Sequence, residues 1–107
     1  MKKNPKLFQF DEEVETIIDS IFERHRDNQG LRDFVLLKAA EELNELSAEL
    51  IQKVLHPTHE KDQPIVDEIG DVLIRLSVLV KFYDLELINE RIKYKANIMK
   101  NNFNGKY

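Results

Sequence analysis

From Ile65 to Val80 the chain is apolar nearly all the way round a helix. Ile65, Ile69, Val72, Leu76 and Leu79 recur at the helical period as one stripe, and Val66, Leu73 and Val80 form a second. A surface helix buries one stripe; a segment carrying two must be covered on two sides. No stretch shows sustained strand alternation, and three Gly and three Pro in 107 residues leave few places to break a helix. The expected fold is all-α: a four-helix, bundle-like domain whose third helix is buried on two sides, by the other helices and by a second subunit. A homodimer or homotetramer is the expected assembly.

The remaining helices follow from their own stripes and stops. The first begins after Asp11, an N-cap followed by Glu12 and Glu13 where the helix dipole favours anions. Val14, Ile17, Ile18, Ile21 and Phe22 then repeat at i, i+3, i+4, i+7 and i+8, His25 continues the stripe as a packed histidine, and the helix is expected to stop near Gly30. The second spans about Arg32 to Leu55, with Leu36, Ala40, Leu43, Leu50 and Val54 on one face, Ala39 and Leu46 beside it, and His56-Pro57 as its end. Pro64 suits the first turn of the third helix, which reaches about Tyr83, and Asp84 can cap a fourth whose stripe is Leu85, Ile88, Ile92, Ala96 and Met99. The whole reads as one domain over 1–107, with an N-terminal arm over about 1–10 and a flexible tail over about 101–107.

The absence of cysteine excludes disulfides, thiolate metal sites and a Cys nucleophile, and fits a cytoplasmic setting. The start leads into no apolar signal-like run. The longest hydrophobic stretch, Ile65 to Tyr83, is interrupted by Asp67, Glu68, Asp71, Arg75 and Lys81, so no membrane span is expected. All 20 acidic residues lie between Asp11 and Glu90, against eight basic ones, and the lysines and arginines of the two ends bring the net charge back to −4. Such a chain is poorly suited to sequence-independent nucleic-acid binding, which depends on neutralising phosphates. A small polyanion can bind where metal ions stand between it and the carboxylates.

Two acidic pairs are placed for that purpose. Glu42 and Glu45 on the second helix, and Glu68 and Asp71 early on the third, are each three residues apart. Each pair therefore projects from one side of its helix, about 60° and one turn apart. On adjacent antiparallel helices the two pairs can converge, given a tilt or extra helical loop residues to close the difference in height. For the second helix alone a solvated face is the competing reading, since Lys38 with Glu42 and Glu49 with Lys53 are i, i+4 pairs. The third helix weighs against it, because Glu68 and Asp71 sit in an otherwise apolar sequence with Arg75 as the nearby cation. Four converging carboxylates raise one another's pKa unless divalent ions intervene, and hard oxygen donors select magnesium or manganese over zinc.

The ordered set Leu36-Leu37-Lys38-Ala39-Ala40-Glu41-Glu42-Leu43-Asn44-Glu45-Leu46, then Asp67-Glu68-Ile69-Gly70-Asp71-Val72-Leu73, then Lys93-Tyr94-Lys95-Ala96-Asn97 resembles the MazG-like all-α nucleoside triphosphate pyrophosphohydrolases. The resemblance runs from about the first helix to Asn97. It implies Glu42, Glu45, Glu68 and Asp71 as Mg2+ ligands, with Mn2+ able to substitute, and catalytic roles for Glu45 and for Glu41, the latter as a supporting or water-orienting group. It implies Lys93 and Asn97 as contacts to phosphates or sugar, with Lys38 and Arg75 as further phosphate candidates. Ordinary explanations stand beside these: cations near a helix C-terminus offset its dipole, and Lys38 and Arg75 also fit as ion-pair partners.

The implied reaction splits a nucleoside triphosphate, the deoxy form foremost, between the α and β phosphates to release monophosphate and pyrophosphate. A phosphoribosyl-ATP pyrophosphohydrolase-like enzyme and a non-catalytic helical interaction module are the alternatives. Family members often hold the base between aromatic side chains, and tryptophan is absent from this sequence. Phe8, Phe10, Phe34 and His56 are the candidates for such a wall, each also explicable as core or loop packing. His56 and His59, in a Pro-flanked loop, are too little for a metal site, and the Glu-x-x-His pairs of carboxylate-bridged di-iron bundles are absent.

Overall fold

The computed structural model describes residues 8–58 and 61–102. Four α-helices follow one another: α1 (Glu12–His25), α2 (Gln29–Leu55), α3 (Gln63–Leu79) and α4 (Leu85–Asn101), with a 3₁₀ turn at Val80–Phe82 between the last two. No strand occurs among the described residues, in keeping with the all-α expectation, and no helix is long and apolar enough to cross a membrane. Most of the arm and tail, 1–7 and 103–107, lies outside the described residues.

Local chemistry sets the boundaries. α1 ends at His25, short of Gly30, because Asn28 opens a new helix: its backbone is extended and its side chain accepts the Leu31 N–H at 3.0 Å, leaving Gly30 inside the first turn of α2. Pro64 occupies the first turn of α3. The last turn of that helix tightens to 3₁₀ before Tyr83 becomes extended, and Asp84 then accepts the N–H groups of Glu86 and Leu87 to start α4.

α2 and α3 form an antiparallel hairpin, the dominant packing in the molecule, and α1 lies against one side of it. The core is small: Ile18 of α1, Val35 of α2 and Val78 of α3, surrounded by Phe10, Val14, Ile21, Ile74, Leu79 and Phe82, with Phe22 and Phe82 edge to face at 5.0 Å. Ile18 is 1% exposed. Its replacement by alanine is expected to cost about 2–5 kcal/mol, read as a lower urea midpoint with an unchanged slope. A core this thin has few other contacts to absorb the cavity.

Two expectations are corrected here. The side of α2 that the hairpin covers is the line Val35, Ala39, Glu42, Leu46, Glu49 and Lys53, all buried or half-buried. The more apolar line Leu36, Ala40, Leu43, Leu50 and Val54 is exposed. α3 takes the line holding the acidic residues because its own most apolar side, through Val72 and Leu79, has to meet α2 while Ile74 and Val78 meet α1. Nor does α4 close the bundle: it packs only marginally on the other helices, and Ile92, Ala96 and Met99 of its stripe remain exposed. The radius of gyration, 16.5 Å, accordingly exceeds the roughly 13 Å of a compact chain of this length.

Candidate metal centre

The hairpin brings the acidic pairs together. An ion pair between Lys53 and Asp62, 3.0 Å, marks where the start of α3 stands against the last turn of α2. From Lys53 back to Glu42 is eleven residues, and from Asp62 on to Asp71 is nine, about 16 and 14 Å of helix. Side chains span so small a mismatch. Glu42, Glu68 and Asp71 each place one carboxylate oxygen so that the three lie within 4.8 Å of one another. Glu45 stands beside Glu68, close enough for a hydrogen bond between the two carboxyl groups when one is protonated.

Burial and mutual repulsion act on this group together. Burial in the hairpin seam is the first cause raising the Glu68 pKa above its ordinary value, followed by the charges of Glu45, Glu42 and Asp71 and the hydrogen bond with Glu45. Glu42 is raised in the same order of causes, by burial, then Glu45 and Asp71, with Glu41 adding least; the Arg75 guanidinium pulls the other way. Glu42 Oε2 and Glu68 Oε2 are both buried with no hydrogen-bond partner. A buried, unpartnered carboxylate oxygen is costly, so two of them facing common acidic neighbours form a cradle suited to a cation. The donors are all carboxylate oxygens, the set that suits magnesium or manganese.

The wall of the site is a cleft of about 230 Å³ lined by Glu42, Asp71 and Arg75 with Ile21, Ile74 and Val78. Arg75, one turn beyond Asp71, is thus the cation the fold places in the cleft. Sequence reasoning did not name the apolar floor as part of the site. Its signal was present in the phase of α3, where Ile74 and Val78 each stand three positions after Asp71 and Arg75, on the same side of the helix.

The other sequence candidates divide. Lys38 pairs with Glu41 at 3.3 Å and lies over the Phe34 ring at 5.6 Å, so it reaches the acid at i+3. Glu41 is exposed and is not one of the three converging acids. Phe34 stacks on His25 at 6.1 Å, and the His25 Nδ1–H donates to the Ile21 carbonyl at 2.7 Å, the packed role expected of that histidine. Phe10 belongs to the core, Phe8 lies 6.3 Å from it, and His56 is the exposed C-cap of α2. Lys93 and Asn97 stand exposed on α4; neither lines the cleft nor figures among the charges acting on Glu42 and Glu68. Compared with family models, curated proteins and solved structures, the chain has no significant match.

Proposed function

We propose that this chain is a magnesium-dependent nucleoside triphosphate pyrophosphohydrolase, releasing a nucleoside or deoxynucleoside monophosphate and pyrophosphate. One observation carries the reading: carboxylates from two neighbouring helices converge on a common point with the Glu42 and Glu68 oxygens buried and unpartnered. A set of acids kept that close without cations is unfavourable for folding, and a site that collects divalent ions suits a polyphosphate substrate. The motif resemblance supplies the substrate class.

In this reading Glu42, Glu45, Glu68 and Asp71 hold magnesium, with manganese as a substitute. When bound, the ions supply Lewis-acid chemistry and charge neutralisation at phosphate oxygens. The chain does the rest by position. Arg75, in the cleft beside Glu42 and Asp71, presents a fixed positive charge toward a phosphate chain entering over the apolar floor. Ile21, Ile74 and Val78 keep that side of the cleft poor in water, which strengthens the electrostatic contacts made there. Glu45, beside Glu68, completes the acidic set, and Glu41, paired with Lys38, orients water at the rim. Lys93 and Asn97 act on the substrate only if α4 is carried to the cleft in the active assembly.

The test is a screen of the common nucleoside triphosphates, their deoxy forms and phosphoribosyl-ATP for pyrophosphate release, with magnesium and with a chelator. Magnesium-dependent release from nucleoside triphosphates is expected. Release from phosphoribosyl-ATP alone would replace the substrate, and no turnover with any compound would reject the enzyme.

A further inference from the structure

We infer that Arg75 makes metal binding and polyphosphate binding cooperative: it opposes a divalent cation in the empty cleft and favours the same cation once a phosphate oxyanion lies between the two charges. The inference rests on the metal-centre reading above and adds to it a regulation of that site. Three of the six residues lining the cleft of about 230 Å³ are charged, namely Glu42, Asp71 and Arg75. Two of these belong to the converging acidic group, so the guanidinium and the point that would hold an ion share one small space. The electrostatic link is direct at Glu42, whose ionised form Arg75 favours.

Yet the guanidinium is not tied to those acids. Arg75 stands four residues after Asp71, the spacing and direction at which an acid and a base pair on a helix. Even so, it makes no ion pair with any described residue. Lys38, by contrast, is taken up by Glu41 at 3.3 Å. A guanidinium that closes no ion pair has its donors free for an incoming oxyanion, and its planar fork suits phosphate. It cannot escape the cleft by losing its proton, since arginine keeps its charge at every working pH.

A divalent ion entering the cradle therefore meets a fixed positive charge. Across several ångströms of half-buried space, where the effective dielectric constant is about 20, that repulsion is enough to weaken metal binding about tenfold. Ile21, Ile74 and Val78, the apolar remainder of the lining, offer no polar side chain to screen it. A polyanion arriving first fares no better, because it meets Glu42 and Asp71. When ion and oxyanion enter together, the oxyanion lies between metal and guanidinium, and the repulsion gives way to two attractions. By linkage, whatever factor the anion adds to metal affinity the metal adds to anion affinity.

Manganese binding to the full chain, read from the paramagnetic resonance of the free ion at about pH 8, tests this without turnover. Pyrophosphate serves as the oxyanion, with the manganese that it holds in solution measured separately and subtracted. Arg75→Gln is expected to bind manganese alone about tenfold more tightly than the wild type, and Arg75→Lys, which keeps the charge, within about threefold of it. Pyrophosphate is expected to tighten manganese binding about a hundredfold in the wild type and about tenfold in Arg75→Gln, where direct metal–oxygen contacts remain. A merely structural role for Arg75 predicts the opposite sign, since a disturbed cradle loses metal. Should Arg75→Gln lose helical circular dichroism, Arg75→Met removes the same charge while keeping an unbranched apolar stem. Equal manganese affinity of the wild type and the neutral variant, or the same gain from pyrophosphate in both, overturns the inference and leaves the metal centre standing. An absence of manganese binding in wild type and variants alike rejects the metal centre itself, and the inference with it.

Discussion

Asp71→Asn is expected to lower magnesium-dependent pyrophosphate release by on the order of 10³-fold while leaving the helical content of the metal-free protein close to wild type. Asp71 is the exposed member of the converging trio, so its amide replaces a solvent-facing oxygen and disturbs no packing. What it removes is one negative charge from the point where Glu42, Glu68 and Asp71 meet, together with a hard oxygen donor. The same change reaches the cleft, because Asp71 lines it beside Arg75. Arg75 would then face Glu42 with one fewer carboxylate competing for it. Steady-state assays over a magnesium titration measure the effect. Activity retained within about threefold at saturating magnesium would remove Asp71 from the ligand set, whatever the fate of the other three.

The second large effect is on stability and its dependence on pH. Glu42 and Glu68 both have pKa values raised above the ordinary 4.5, by burial first and by neighbouring carboxylates next. A carboxyl group whose pKa is higher folded than unfolded binds its proton more readily in the folded chain. Its contribution is therefore fully present below about the unfolded value, and is lost as pH rises through the raised folded one. The metal-free protein is expected to have a melting temperature that falls as pH rises from about 4.5 toward neutrality, the reverse of the trend produced by salt-bridged carboxylates. Glu68→Gln should flatten that fall and raise the metal-free melting temperature at pH 7 by a few degrees.

Manganese or magnesium should restore at pH 7 what ionisation takes away. An ion at about one hundred times its dissociation constant adds roughly 2.7 kcal/mol to the folded state, which for a chain of this size is on the order of 10 °C in melting temperature. Glu68→Gln is expected to lose most of that gain while being the more stable protein without metal. Scanning calorimetry of both proteins at pH 5 and pH 7, with chelator and with manganese, measures all of it. A wild-type melting temperature that ignores manganese at pH 7 would mean that the acids do not form a cation site.

Much of the helical plan could be read from the residues because it rests on local chemistry. Asp84 caps α4, Pro64 sits in the first turn of α3, and His56-Pro57 closes α2, each through interactions within a few positions in the chain. The end of α1 was harder to place, because Asn28 competes with Gly30 as a boundary, and a side chain that accepts a backbone N–H within one turn starts the next helix first. The pairing of Glu42 with Glu45 and of Glu68 with Asp71 was legible as spacing. Whether the pairs met was not, since that depends on the height of one helix against another, set by how α2 and α3 pack.

The sequence by itself determined four helices, the Asp84 cap of the last, and a concentration of acids at helical spacing on two of them, because period and capping are properties of neighbours along the chain. Only the tertiary structure decided which side of α2 is covered, that Glu42 and Glu68 each keep an oxygen buried and unpartnered, and that α4 stands off from the hairpin. The physical reason is that a helix with apolar residues on more than one side can satisfy burial in more than one rotation. α2 is such a helix, and the choice passes to the surfaces of α3 and α1 that it meets.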